Sequence, residues 1–227
     1  MSEQIHSLFS SIAPNYDRLN SVLSLGIDRR WRQQAVRHLR GRSKVLDLCA
    51  GTLALSRALL EINPDVRITA LDFSQEMLAQ GRERVTKLCA DFFQWDHPVE
   101  SFDGVMCSYG MRNLDDNPKA LRKIHTLLQS GGRFVLLEFF RPDRWYTWCW
   151  NLTYAQFVLP AIGRVVSHHN GAYRHLRDSV RGFYAIDRYC DLLRETGFDV
   201  KVARRLTGGI SGLIVADKTT SPTPLLK

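Results

Sequence analysis

Apolar and polar positions along this chain switch between a two-residue and a helical period, and the switches mark the elements. Val45-Leu46-Asp47-Leu48 reads as a strand, Cys49-Ala50-Gly51-Thr52 as a turn, and Leu53 to Ile62 carries helical spacing that Asn63-Pro64 stops. Arg67 to Leu71 is a second strand, and Ser74 caps a helix with Glu76 in its first turn, followed by Met77 and Leu78. Val85 to Cys89 and Phe102 to Ser108 give strands three and four. Asn117 to Gln129 is a helix ended by Ser130-Gly131-Gly132, and Arg133 to Phe139 is a fifth strand with Glu138 near its end. Such alternation predicts an α/β fold, a parallel sheet with helices on both faces. Asp199 to Leu206 and Ile210 to Asp217, joined through Thr207-Gly208-Gly209, form a closing hairpin. The expected result is a seven-stranded mixed sheet with one antiparallel member.

Between strand five and the last helix lies an insertion dense in aromatics, about residues 141–185, with Trp145, Tyr146, Trp148, Trp150, Tyr154, Phe157, Tyr173, Phe183 and Tyr184. Asn151, Thr153, Gln156, Arg164 and Pro160 argue against a membrane span there, so it reads as a helical lid over an apolar pocket, with ordinary core helices as the alternative. One domain over residues 1–218 is expected, followed by a disordered tail rich in Thr, Ser and Pro over 219–227.

Composition narrows the class. The 227 residues, 44% hydrophobic and 24% charged, suit one sizeable core. Five cysteines, Cys49, Cys89, Cys107, Cys149 and Cys190, are odd in number and widely spaced, so neither a disulfide framework nor a metal site is expected. A polar start, with no basic-then-apolar segment, fits a reducing cytoplasm. The net charge of +8 favours anionic partners or simple solubility. Arg174, Arg177 and Arg181 are spaced to share a helical face near His168, His169 and His175, a stripe suited to a membrane surface or to solvent.

The candidate chemistry sits at the first turn. Asp72 ends the second strand 21 residues past Gly51, where an acid in an open α/β sheet meets ribose hydroxyls. Only Gly51 is present where a dinucleotide fingerprint needs three glycines, so a nucleoside cofactor without a phosphate, S-adenosylmethionine, is the better expectation; the alternative is a structural turn with no ligand.

With these elements placed, the chain resembles the class I S-adenosylmethionine methyltransferases with a Rossmann-like sheet and N-terminal helices, and within them the ubiquinone/menaquinone biosynthesis C-methyltransferase family. Four segments carry the resemblance: Phe9-Ser10-Ser11-Ile12-Ala13-Pro14-Asn15-Tyr16-Asp17 with Asn20 and Ser24-Leu25-Gly26-Ile27; Asp72-Phe73-Ser74 with Met77-Leu78; Ser108-Tyr109-Gly110-Met111-Arg112-Asn113 with Gly131-Gly132; and Tyr173-Arg174-His175-Leu176 with Ser179. The resemblance implies that Asp47 and the Gly51–Thr52 backbone hold the methionine end and that Asp72 takes the ribose hydroxyls. It places Phe73 and Met77 beside the adenine, Asp91 and the Phe92 amide at its amino edge, Ser108 facing the methionine moiety, and Tyr16 closing over the cofactor. It further implies a prenylated quinol substrate, peripheral contact with the inner membrane face and no nucleic acid, and leaves homodimerisation open.

One departure stands out. The family usually reads Gly-Thr-Gly-Asp in the first turn, whereas this chain reads Gly51-Thr52-Leu53-Ala54. A leucine there is expected to bring its side chain into the methionine space, so that Leu53→Gly would tighten binding, or else to mark a degenerate, non-catalytic scaffold of quinone biosynthesis. For the chemistry, Arg112 is the candidate phenolate stabiliser, with Asn113 and Tyr173 at the ring oxygens and His168 or His169 as alternative bases. Another small aromatic substrate is the rival for the same chemistry. An RNA methyltransferase would lack any visible recognition module, and a nicotinamide enzyme would lack its glycine run.

Overall fold

A computed structural model describes Ser24, residues 26–144 and residues 170–219, and of 170–174 the backbone alone. Tyr16, His168, His169, the aromatic run from Trp145 to Phe157 and the tail beyond Thr219 lie outside the described residues, as does the Tyr173 side chain. Six α-helices are described, α1 (Asp28–Val36), α2 (Ala54–Ile62), α3 (Gln75–Gln80), α4 (Asn117–Leu127), α5 (Asn170–Gly182) and α6 (Ile186–Glu195). The strands are β1 (Lys44–Leu48), β2 (Arg67–Asp72), β3 (Thr86–Cys89), β4 (Phe102–Ser108), β5 (Leu128–Glu138), β6 (Phe198–Leu206) and β7 (Ser211–Lys218).

They form one seven-stranded sheet in the order β3-β2-β1-β4-β5-β7-β6, in which β7 runs antiparallel to both of its neighbours. The chain order reverses between β1 and β4, so the carboxyl ends of β1, β2 and β4 open onto a crevice where ligands of α/β sheets bind.

Strict alternation along the central strands divides the core. Leu46, Val105, Cys107, Phe134, Leu136 and Ile214 face α4 and α6, where Leu121, Ile124, Tyr189 and Leu193 cover them. Val45, Met106, Val135, Leu137 and Val215 face α1 and α2, under Trp31, Val36, Leu55 and Leu59. Both faces are therefore buried, which is why these strands read as near-continuous apolar runs. Two aromatics of the predicted insertion, Phe183 and Tyr184, belong to the first of these layers, with Phe183 5.7 Å from Phe140 and 5.3 Å from Tyr189 between ring centroids.

Several boundaries differ from the sequence reading, and strand β5 already begins at Leu128, so that Ser130-Gly131-Gly132 lie within it rather than ending the helix. Helix α4 ends at Leu127 rather than Gln129, because Leu128 already pairs with Phe102 and the register then slips before Gly104 meets Arg133. Helix α2 begins at Ala54, since Leu53 has left-handed backbone. Thr219, expected to open the tail, instead bonds the Gly197 carbonyl through both its amide and its hydroxyl. Among the described residues no helix is long and apolar enough to cross a membrane, and none of their His, Cys, Asp and Glu side chains form a group that could hold a metal ion.

Candidate active site

The first turn is held to the second by one carboxylate. Asp72, buried at the end of β2, accepts the Gly51 amide on Oδ2 at 2.8 Å and the Ser74 amide on Oδ1 at 2.9 Å. A carboxylate offers about four acceptor positions, and these amides take one on each oxygen. Ser74 caps α3 as its sequence predicts, its hydroxyl accepting the Met77 amide at 3.2 Å. Met77 itself is buried, its methyl group within 3.4 Å of where a Cβ on Gly51 would lie, so it supports the turn from below. Thr52 is buried in the turn between β1 and α2, and Ser108 is half-buried at the carboxyl end of β4.

Asp47 lies on the α2 face of β1 and accepts from the Ser56 hydroxyl at 2.6 Å. Burial raises its pKa to about 7, the Ser56 bonds oppose that shift, and the neighbouring Asp72 charge adds to it. A carboxyl poised near neutrality beneath the turn is the kind of perturbed group that binding sites collect.

Cys49, Asp72, Phe73, Asp91, Phe92 and Asp115 line an open cleft beside this turn. Its far wall is a short loop organised by Asp91, whose side chain accepts the Phe93 amide at 2.7 Å and whose carbonyl accepts from Gln94 and Trp95. Lys123 of α4 tethers the loop, donating to the carbonyls of Phe92, at 2.7 Å, and Trp95, with its ammonium 5.1 Å from the Phe92 ring centroid.

Leu53 overturns the expectation placed on it. Its backbone is left-handed, with φ 65° and ψ 23°, in a region where an L-residue pays about 1–2 kcal/mol. Its side chain, however, is fully buried among Ala50, Ala70 and Leu78 and is not among the residues that line the cleft. Gly81 makes the room: a Cβ there would come within 2.3 Å of the leucine Cδ1. The leucine thus packs into the core against Gly81, in place of the expected position in the methionine space.

On the other side of the crevice, the turn Met111–Asn113 follows β4. Arg112 and Glu138 form a buried ion pair at 2.7 Å, with 5% and 0% of their side chains exposed. Glu138 also accepts the Phe139 amide at 2.7 Å and the Arg112 amide at 3.3 Å. Burial pushes the Glu138 pKa up, and Arg112 and these amides pull it back. Arg112 donates in addition to the Tyr109 carbonyl, lies 5.6 Å from the Phe139 ring centroid, and carries a buried Nε–H with no acceptor among the described residues. Tyr109 has left-handed backbone at φ 60°, strain of a kind that gathers at functional sites. Gly110 lets this turn and the first one meet, since a Cβ on it would sit 2.3 Å from that of Cys49.

Asn113 accepts on Oδ1 from His175 of α5 at 3.0 Å, and its Nδ2 lies 3.4 Å from the Tyr109 carbonyl. Sequence reasoning did not find Glu138, Lys123 or this role for His175. An acid ending a strand on the crevice edge was the available signal for Glu138; nothing local marks the other two.

The strand order, the antiparallel seventh strand and the acids at the ends of β1 and β2 define a class I methyltransferase fold. Human N-acetylserotonin methyltransferase, solved in complex with S-adenosylmethionine, shares that fold with a TM-score of 0.60 at 19% identity, over 94% of this chain and 59% of that one. The model of the ubiE/COQ5 methyltransferase family matches residues 1–218, and the chain belongs to that family. It is 40% identical to a Deinococcus radiodurans protein named demethylmenaquinone methyltransferase, over 95% of this chain and 93% of that protein. A Geobacter sulfurreducens protein named ubiquinone/menaquinone biosynthesis C-methyltransferase UbiE is 36% identical, over 95% and 89% respectively. Membership makes the chain a methyltransferase and implies S-adenosylmethionine as its methyl donor.

Proposed function

We propose that the protein methylates a ring carbon of a demethylated prenyl quinol in respiratory quinone biosynthesis. The family match across residues 1–218 carries the reading, and the relatives' names give the substrate class. The cleft residues fit the cofactor. Asp72 would take the ribose hydroxyls on oxygens already oriented by two amides; Phe73, Asp91 and the Phe92 amide, from residues that line the cleft, would serve the adenine, and Met77 would do so from its buried place beneath the turn. Asp47, the Gly51–Thr52 backbone and Ser108 would hold the methionine end, with Tyr16 closing over it.

When bound, S-adenosylmethionine supplies a methyl group on an electron-poor sulfonium. The protein's task is to hold a nucleophilic carbon in line with that methyl group, and positioning of this kind supplies about 7 to 11 kcal/mol. A quinol carbon becomes nucleophilic as the neighbouring hydroxyl loses its proton. The Arg112 Nε–H, which has no acceptor among the described residues, is a buried donor suited to the resulting oxyanion. Glu138 and the Tyr109 carbonyl fix the guanidinium, so that it meets the oxygen without reorganising. Asn113 and Tyr173 would contact the ring oxygens. The exposed Arg177 and Arg181 of α5 suit the peripheral membrane approach that a prenylated substrate requires.

Asp72→Ala tests the placement of the cofactor. Calorimetry should show S-adenosylmethionine binding weakened by more than about tenfold, since bonds to a charged acceptor are each worth about 1.5–3 kcal/mol. Unchanged affinity would contradict it.

A further inference from the structure

Helix α5 packs on the 111–113 turn, and His175 joins the two. The Asn113 Nδ2 faces the Tyr109 carbonyl, so the amide oxygen faces His175 and the imidazole Nε2 carries the hydrogen. We propose that His175 is a positioning residue for methyl transfer: its Nε2–H fixes the Asn113 amide, and with it the turn that presents Arg112. The inference rests on the quinol reading above and extends it to what holds the ring-oxygen contacts in place.

The surrounding charges set the imidazole's working form. Burial lowers its pKa below the ordinary histidine range, Arg112 on the facing turn acts in the same direction, and Asp178 on its own helix opposes them. Glu138 grips Arg112 from the far side, through one guanidinium donor and the Arg112 amide. Neutral His175 adds no charge to this arrangement. Protonated His175 would keep the Nε2–H bond but set a second cation beside Arg112, with Glu138 already engaged by the first. Acid therefore weakens the turn through His175, and activity falls as pH drops through the lowered pKa.

Two variants separate this role from plain packing. In anaerobic assays with S-adenosylmethionine and a demethylnaphthoquinol from about pH 5 to 8.5, H175A should lose about tenfold in kcat, the rate equivalent of one positioning hydrogen bond, while its cofactor Kd holds. H175Q, whose amide can donate the same bond but cannot titrate, should recover most of that loss at alkaline pH and lack the acid limb of the wild-type profile. Wild-type kcat in H175A, an unchanged acid limb in H175Q, or parallel loss of kcat and cofactor affinity would overturn the proposal. A wild-type protein that leaves the quinol unmethylated would overturn the quinol reading instead. The imidazole ¹⁵N resonances then judge His175 without substrate: a neutral Nε2–H tautomer titrating below the ordinary range supports it, and an Nδ1–H tautomer overturns it.

Discussion

Leu53 shows how much one side chain's direction can change. The left-handed backbone at this position was legible as a cost, because the family turn carries glycine there, but the side chain's destination depends on Gly81, which lies on another element. Removing a fully buried leucine costs about 2–5 kcal/mol, whereas relieving left-handed strain returns about 1–2 kcal/mol. Leu53→Gly should therefore destabilise the protein by about 1–3 kcal/mol in urea unfolding, with no gain in cofactor affinity. A more stable variant would mean that strain outweighs burial here.

Asp47 supplies a second test at this scale. Its folded pKa, about 7, lies above the ordinary aspartate value near 3.9, so the folded state holds a proton that the unfolded chain has released. The associated stability is fully present below the unfolded value and is lost as pH rises through about 7. Asp47→Asn should accordingly gain stability relative to wild type on going from mildly acid to alkaline pH. In the bound state the cofactor's ammonium favours ionised Asp47, so wild-type affinity should rise across the same interval and the variant's should stay flat. Calorimetry and denaturation at both pH values measure the two effects, and identical wild-type and variant pH profiles would contradict the account.

At the scale of elements, the central strands were legible because they are buried on both faces, and the hairpin because its turn carries paired glycines. The end of α4 was not, since the pairing of Leu128 with Phe102 is a long-range event that competes with helical propensity. The same limit hid Lys123, which reaches from α4 to carbonyls 28 and 31 residues away. That tether makes the cleft wall proposed for the adenine a property of the helix. Lys123→Met should weaken S-adenosylmethionine binding by about tenfold, because bonds from a charged donor are worth about 1.5–3 kcal/mol and only part of that loss reaches the cofactor. Equal affinity in variant and wild type would show that Asp91 organises the loop alone.

Across the whole molecule, the first-turn cluster proposed for the cofactor was readable and the surroundings of Arg112 only in outline. Asp47, Gly51 and Asp72 lie at strand ends that periodicity locates, so the sheet order brings them together. Arg112, by contrast, is defined by Glu138 from the neighbouring strand and, through Asn113, by His175 from a helix 62 residues on, contacts that no local spacing encodes. Those contacts make the turn after β4 a neutral, fixed frame with one buried donor left over, and that frame suits an oxygen that gains charge only when the ring is reduced. An oxidised quinone ring is electron-poor and has no hydroxyl to ionise, so the account requires the quinol. Purified protein incubated anaerobically with S-adenosylmethionine and a demethylnaphthoquinone, with and without dithionite, tests this directly by mass analysis of the product. Methylated product only in the reduced sample is the predicted result, and equal product without reductant would contradict it.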